Sequence, residues 1–173
     1  MTRQKPDPRI TLERSSDNDK RRLREPAPPD TWLRDFADRA SFEPYSKHKL
    51  NPRAFGLAPF TGQRVDATYC DGHAGFAPAD MHRIPELLHR GILAGLVGDN
   101  DQQDDPTLIW TVDDSGWIYE GRLTIPGRSV YHGYPVLRTE AIARIVIPRY
   151  IQWVYDKDGA LFKSAQRVQE RYS

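Results

Sequence analysis

The chain has 173 residues, with 25 basic and 24 acidic side chains, 38% hydrophobic residues and a mean hydropathy of −0.70. Fourteen prolines and twelve glycines argue against a helix bundle or coiled coil, and no apolar stretch approaches the ~18 residues of a membrane span. The near-zero net charge carries no general nucleic-acid signature, and the single cysteine, Cys70, leaves no internal disulfide and no cysteine-based zinc site.

Residues 1–30 hold only five hydrophobic side chains (Met1, Ile10, Leu12, Leu23, Ala27) among eight basic and six acidic ones, and end in Pro26-Ala27-Pro28-Pro29. A segment so poor in apolar surface cannot offset its ordering entropy, which predicts a disordered arm or linker over 1–30 and a single compact domain over 31–173. The segment also lacks the apolar core of a secretory signal. Asp30 or Thr31 would cap a short helix, TWLRDFADRA, with Trp32, Phe36 and Ala40 on one face. Residues 42–80 show no sustained period and predict irregular structure with short strands such as Arg64–Tyr69.

Pro85 and Gly91 bracket a short helix over 83–91. A polar loop follows, GDNDQQDDP, with four aspartates and no basic residue. Thr107–Val112 and Trp117–Thr124 flank Asp113-Asp114-Ser115-Gly116 as a hairpin, Pro126-Gly127 turns the chain, and Ser129–Tyr134 adds a third antiparallel strand. Thr139 would cap a helix over 140–146 that Pro148 stops or kinks. Tyr150–Tyr155 reads as a strand, and KSAQRVQERY as a closing polar helix. The expected class is α+β: short helices packed on a small antiparallel β-meander.

None of the five histidines (His48, His73, His82, His89, His132) stands four residues from another in a metal-binding pair, and GxSxG, GxxxxGK[ST] and strand-preceded GxGxxG are missing. No metal and no cofactor are therefore expected. Six lysines leave nineteen arginines among the 25 basic residues, and planar guanidinium groups suit phosphate. The remaining constellation is basic and aromatic. Lys47, His48 and Lys49 form a cationic run, Arg83 and Arg90 flank the short helix, and Arg122 lies on the second hairpin strand. Alternation along the third strand puts Tyr131 and Gly133 on one face and His132 and Tyr134 on the other. These residue types suit metal-independent RNA cleavage. His73 and His132 would form the acid–base pair, and Arg90 and Arg122 would stabilise phosphorane charge. Tyr134 would serve the site, and Lys47, His48, Lys49 and Arg83 would bind substrate.

The strings "IPELLHRGI", "LIWTVDDSGWIYEGRL" and "YHGYPV", spread over residues 80–155, resemble the small bacterial toxin nucleases of the RelE and barnase-like superfamily. A tether ahead of a compact domain is similar to the C-terminal tips of polymorphic and contact-dependent toxins. The resemblance implies an RNA substrate and a cognate immunity protein or antitoxin as partner. It also implies action in the cytoplasm or delivery into a target cell by a specialised secretion system, with no membrane insertion. Two other readings stay open. The near-neutral charge, four tryptophans and acidic loop fit a binding module such as an immunity protein, antitoxin or phage-encoded inhibitor. Cys70 near His73 fits an enzyme with a thiolate nucleophile.

Overall fold

The computed structural model describes residues 20–64 and 67–173. Its centre is a four-stranded mixed sheet of order β1-β6-β5-β4, in which β4 (Leu108–Val112), β5 (Ile118–Ile125) and β6 (Val130–Pro135) form the antiparallel meander. A two-residue strand, β1 (Ser41–Phe42), pairs parallel with the outer edge of β6. The class is α+β. The meander forms where alternating β-rich runs meet turn chemistry: Asp113 Oδ1 accepts from the Ser115 and Trp117 backbone N–H groups at 2.9 Å, and Gly116 adopts φ +82°.

All five residues of β4 are buried, because helices cover both faces of the sheet. On one face, Leu33, Phe36 and Ala37 of α1 (Asp30–Arg39) and Leu88 and Ile92 of α3 (Ile84–Leu93) meet Ile109 and Tyr131. On the other, Leu108, Trp110, Val112 and Ile118 meet α4 (Ala143–Val154) and α5 (Ala160–Tyr172). Between α1 and α3 the chain is irregular, carrying 3₁₀ turns and a one-turn helix, α2 (Cys70–His73).

Several expectations need correcting. The arm predicted over 1–30 lies outside the described residues up to 19. From Lys20 the chain is docked, however: Arg21 and Leu23 are buried, Arg24 N–H donates to Val97 O at 2.9 Å, and Leu23 bridges Gly98. Ordering here comes from a buried arginine as much as from apolar area. The N-cap of α1 is Pro29, without a side-chain cap. No strand forms over the described part of 64–69; instead Thr68 Oγ1 donates to Pro135 O at 2.8 Å. The acidic loop contains a hairpin of β2 (Asp101–Gln102) and β3 (Asp105–Pro106), and buried Asp105 accepts from Ser129 N–H and Oγ at 2.9 and 2.6 Å.

Gly91 lies inside α3 rather than past its end. A Cβ there would sit 2.1 Å from Trp110 O, so the helix needs glycine for its approach to β4 and not for a turn. Pro148 lies inside α4, and the strand expected over 150–155 is helical up to Val154. Val146, Tyr150 and Val154 recur every four residues as a buried stripe, and their burial outweighs the one backbone bond that Pro148 removes.

Candidate functional site

The outer end of the sheet carries a polar cluster on the part of the α4–α5 face that these two helices leave uncovered. Strand alternation turns Glu120, Arg122 and Thr124 of β5 to the same side as His132 and Tyr134 of β6, with Glu120 opposite Tyr134 and Arg122 opposite His132. The irregular segment after β1 folds over them. The His48 ring stacks at 4.4 Å on Tyr134 and at 5.5 Å and 15° on His132, while Tyr45 stands edge-on to His132 at 4.8 Å.

Hydrogen bonds fix the two imidazoles. His48 Nδ1 donates to Thr68 O at 3.0 Å, which leaves Nε2 as the lone-pair nitrogen of the neutral ring. His132 Nδ1 shares a 2.7 Å hydrogen bond with Thr124 Oγ1. Burial lowers the His48 pKa to about 3, despite the opposing Thr68 hydrogen bond and with help from His132 and Lys47. Burial, then Arg122, Lys47 and Lys49, lower that of His132 to about 4. Both rings are neutral at pH 7.

Beneath the rings lies a buried ion-pair network. Glu120 is fully buried; it accepts from Trp110 Nε1 at 2.9 Å and from the Tyr134 hydroxyl, and pairs with Arg21 Nε at 2.7 Å. Arg21 Nη1 meets Glu140 at 2.7 Å, and Glu140 also accepts from Leu137 N–H at 2.6 Å. Among the described residues, Arg21 Nη2 is buried without an acceptor. Burial, followed by the Glu120 charge, pushes the Tyr134 phenol up, so it stays protonated and donates.

The other expected residues fall in different places. The imidazole stacked on His132 is that of His48, not of His73. His73 sits in α2, accepts from Tyr69 N–H at 2.9 Å through Nδ1 and stacks on the Tyr69 ring. Arg90 is buried and committed to Val112 O at 3.0 Å, and to Asp114 and Glu86 at 2.9 Å each, so it clamps the β4–β5 turn to α3 rather than facing a phosphate. Arg83 holds Asp114 at 3.0 Å and lies 3.9 Å from Asp80. Arg122 is exposed beside His132, and Lys47 is half-buried. Lys49 is buried and, together with His132, lines an apolar cavity between α3 and the sheet. Cys70 is buried with its thiol directed at Gly133 O at 3.5 Å, and burial pushes its pKa up, so it rests as a thiol and not as a nucleophilic thiolate.

Sequence reasoning missed Tyr45, Thr124, Arg21, Glu120 and Glu140. An isolated acid amid β-rich residues at Glu120 was the available signal. Nothing local pointed to Arg21 as its partner. Among the described residues, no group of three or more His, Cys, Asp or Glu side chains is placed to hold a metal ion, and no helix is long and apolar enough to cross a membrane. Compared with protein-family models, curated proteins and solved structures, the chain matches none. Its chemistry therefore rests on the geometry of its own residues.

Proposed function

We propose that this protein is a metal-independent ribonuclease whose site is built on His48 and His132. The observation that carries the reading is the stacking of these two neutral imidazoles 5.5 Å apart, with exposed Arg122 in cross-strand register with one of them. The His48 Nε2 lone pair takes the proton of the 2′-hydroxyl, and the 2′-oxygen attacks phosphorus. The bond to the 5′-oxygen breaks, and His132, protonated from solvent once the phosphodiester is bound, gives that proton to the leaving oxygen. Arg122 and Lys47 balance charge on the phosphorane. A bound phosphodiester offsets Arg122 and Lys47, two of the three cations that depress His132, which raises its basicity and lets it carry the proton. The products are a 2′,3′-cyclic phosphate and a 5′-hydroxyl. In a toxin setting, a cognate immunity protein or antitoxin would neutralise this activity.

The test is cleavage of a fluorogenic RNA oligonucleotide in EDTA. Wild type is expected to cut RNA but not its 2′-O-methyl analogue, and His48→Ala and His132→Ala each to lose about 100-fold or more in rate while keeping the wild-type circular dichroism spectrum. An inert wild type, or two unimpaired variants, overturns the reading. An inert wild type would favour a protein-binding module, for which Ile145, Tyr155 and Phe162, at 47%, 78% and 51% exposure, supply apolar surface.

A further inference from the structure

Among the described residues four large hydrophobic side chains are exposed, and three of them, Ile145, Tyr155 and Phe162, belong to α4, α5 and the turn between them. The fourth, Tyr45, is 39% exposed and stands at the histidine pair. A lone exposed ring is ordinary on a protein surface, so its surroundings must carry the meaning. Tyr45 precedes the 3₁₀ turn Ser46–His48, and its carbonyl accepts from His48 N–H at 3.3 Å, so the two side chains leave one turn three residues apart. The Tyr45 ring lies 4.8 Å from that of His132 and 5.9 Å from that of His48. Phe60 stands edge-on to it at 5.7 Å and 86°. Arg64 ties this corner together: its guanidinium lies 5.7 Å from the Phe60 ring, and it donates to Lys49 O and Ser46 O at 2.9 and 3.4 Å.

An exposed, anchored aromatic ring beside a reacting imidazole is complementary to a flat aromatic ligand, and every nucleobase has such a face. In a duplex both faces of a base are covered by its neighbours, so a protein ring stacks a base that is unpaired and splayed out. The acid–base assignment gives the contact a direction. His132 delivers its proton to the leaving 5′-oxygen, so the departing nucleoside lies on the His132 side, and Tyr45 is nearer to His132 than to His48. Resting on the ribonuclease reading, we propose that Tyr45 stacks the base immediately 3′ to the scissile phosphate and that the substrate is single-stranded RNA, unpaired at that nucleotide.

The experiment uses single-stranded DNA oligonucleotides carrying one ribonucleotide, followed either by a normal nucleotide or by an abasic one, with unmodified RNA as reference. Wild type is expected to cut the base-bearing chimera with kcat/KM about 10-fold or more above the abasic one, and to lose cleavage when the complementary strand is annealed. Tyr45→Ala is expected to erase the difference by slowing only the base-bearing substrate, and Tyr45→Trp to retain it. Equal rates on the two chimeras overturn the proposal, as does undiminished cleavage of the duplex or a Tyr45→Ala variant that slows both chimeras alike. Should Tyr45→Ala fail to fold, Tyr45→Leu, which keeps apolar bulk without a ring, takes its place. A wild type inert on unmodified RNA refutes the ribonuclease reading itself; one that cuts RNA without preferring the base-bearing chimera refutes the Tyr45 subsite alone.

Discussion

Arg21 and Glu120 are each buried and each depends on the other for compensation. Removing one member of such a pair strands a charge where water cannot reach it, at a cost of about 3–5 kcal/mol. Arg21→Met and Glu120→Gln are each expected to lower stability by roughly that amount in urea titrations, and the double variant to lose less than the sum of the two. An additive double variant would mean that the two side chains act separately. The histidines make a second prediction at this scale. Their folded pKa values, about 3 and about 4, lie below the unfolded value of 6.5. The unfolded chain therefore binds more protons as pH falls below 6.5, and stability must fall with it; above 6.5 their contribution is complete and flat. Urea midpoints are expected to drop between pH 7 and pH 5, where carboxylates remain largely ionised, and the drop to shrink in His48→Gln. For RNA cleavage the same depression predicts an acidic limb of kcat/KM near pH 3, set by the base His48, and an alkaline limb near pH 4, set by the acid His132, rather than limbs near 6.5, measurable in a pH–rate profile.

At the scale of elements, the closest approach in the fold is that of α3 to β4. Gly91→Ala drives a methyl group into Trp110 O, a backbone atom that cannot swing aside, so α3 must shift off the sheet. A loss of about 3 kcal/mol or more is expected in chemical denaturation, whereas Gly133→Ala, whose Cβ would meet Glu120 O at an ordinary 3.6 Å, leaves the fold intact. Elements of this kind were legible in the sequence to different degrees. The meander could be read because alternation and turn residues agree, Asp113-Asp114-Ser115-Gly116 between two β-rich runs being both a local and a tertiary signal. Helix α4 could be read only at its start, over 143–146: Pro148 argues locally for a break, and only the sheet beneath it makes the Val146–Tyr150–Val154 stripe decisive. Gly91 was read as a helix stop because a sequence does not show what a glycine touches.

For the whole molecule, the legible part of the candidate site is the part that lies on one strand. Alternation along Tyr131-His132-Gly133-Tyr134 places His132 and Tyr134 together, and the register with β5 adds Arg122. What was not legible comes from far along the chain and without periodicity. His48 arrives on an irregular segment held by Thr68 and by ring stacking, and Arg21 arrives from a stretch with almost no apolar residues. A further outcome belongs to this scale. A chain beginning at Asp30 would lack Arg21 and the Leu23 bridge to Gly98, leaving the fully buried Glu120 without the guanidinium that pairs with it. It is expected to melt well below the full chain in calorimetry, and an unchanged melting temperature would remove Arg21 from the account of stability.

The bond between Arg21 and Glu140 joins residues 119 positions apart. A ribosome adding about 5–20 residues per second separates their appearance by roughly 6–24 s. Until Glu120 is added the nascent chain carries an arginine with neither of these carboxylate partners, and until Glu140 is added with only one of them. The histidine stack rests on the same network, so the site is complete only after residue 140 has been added. A chain halted before residue 140 would hold His48 and His132 without the complete support beneath them.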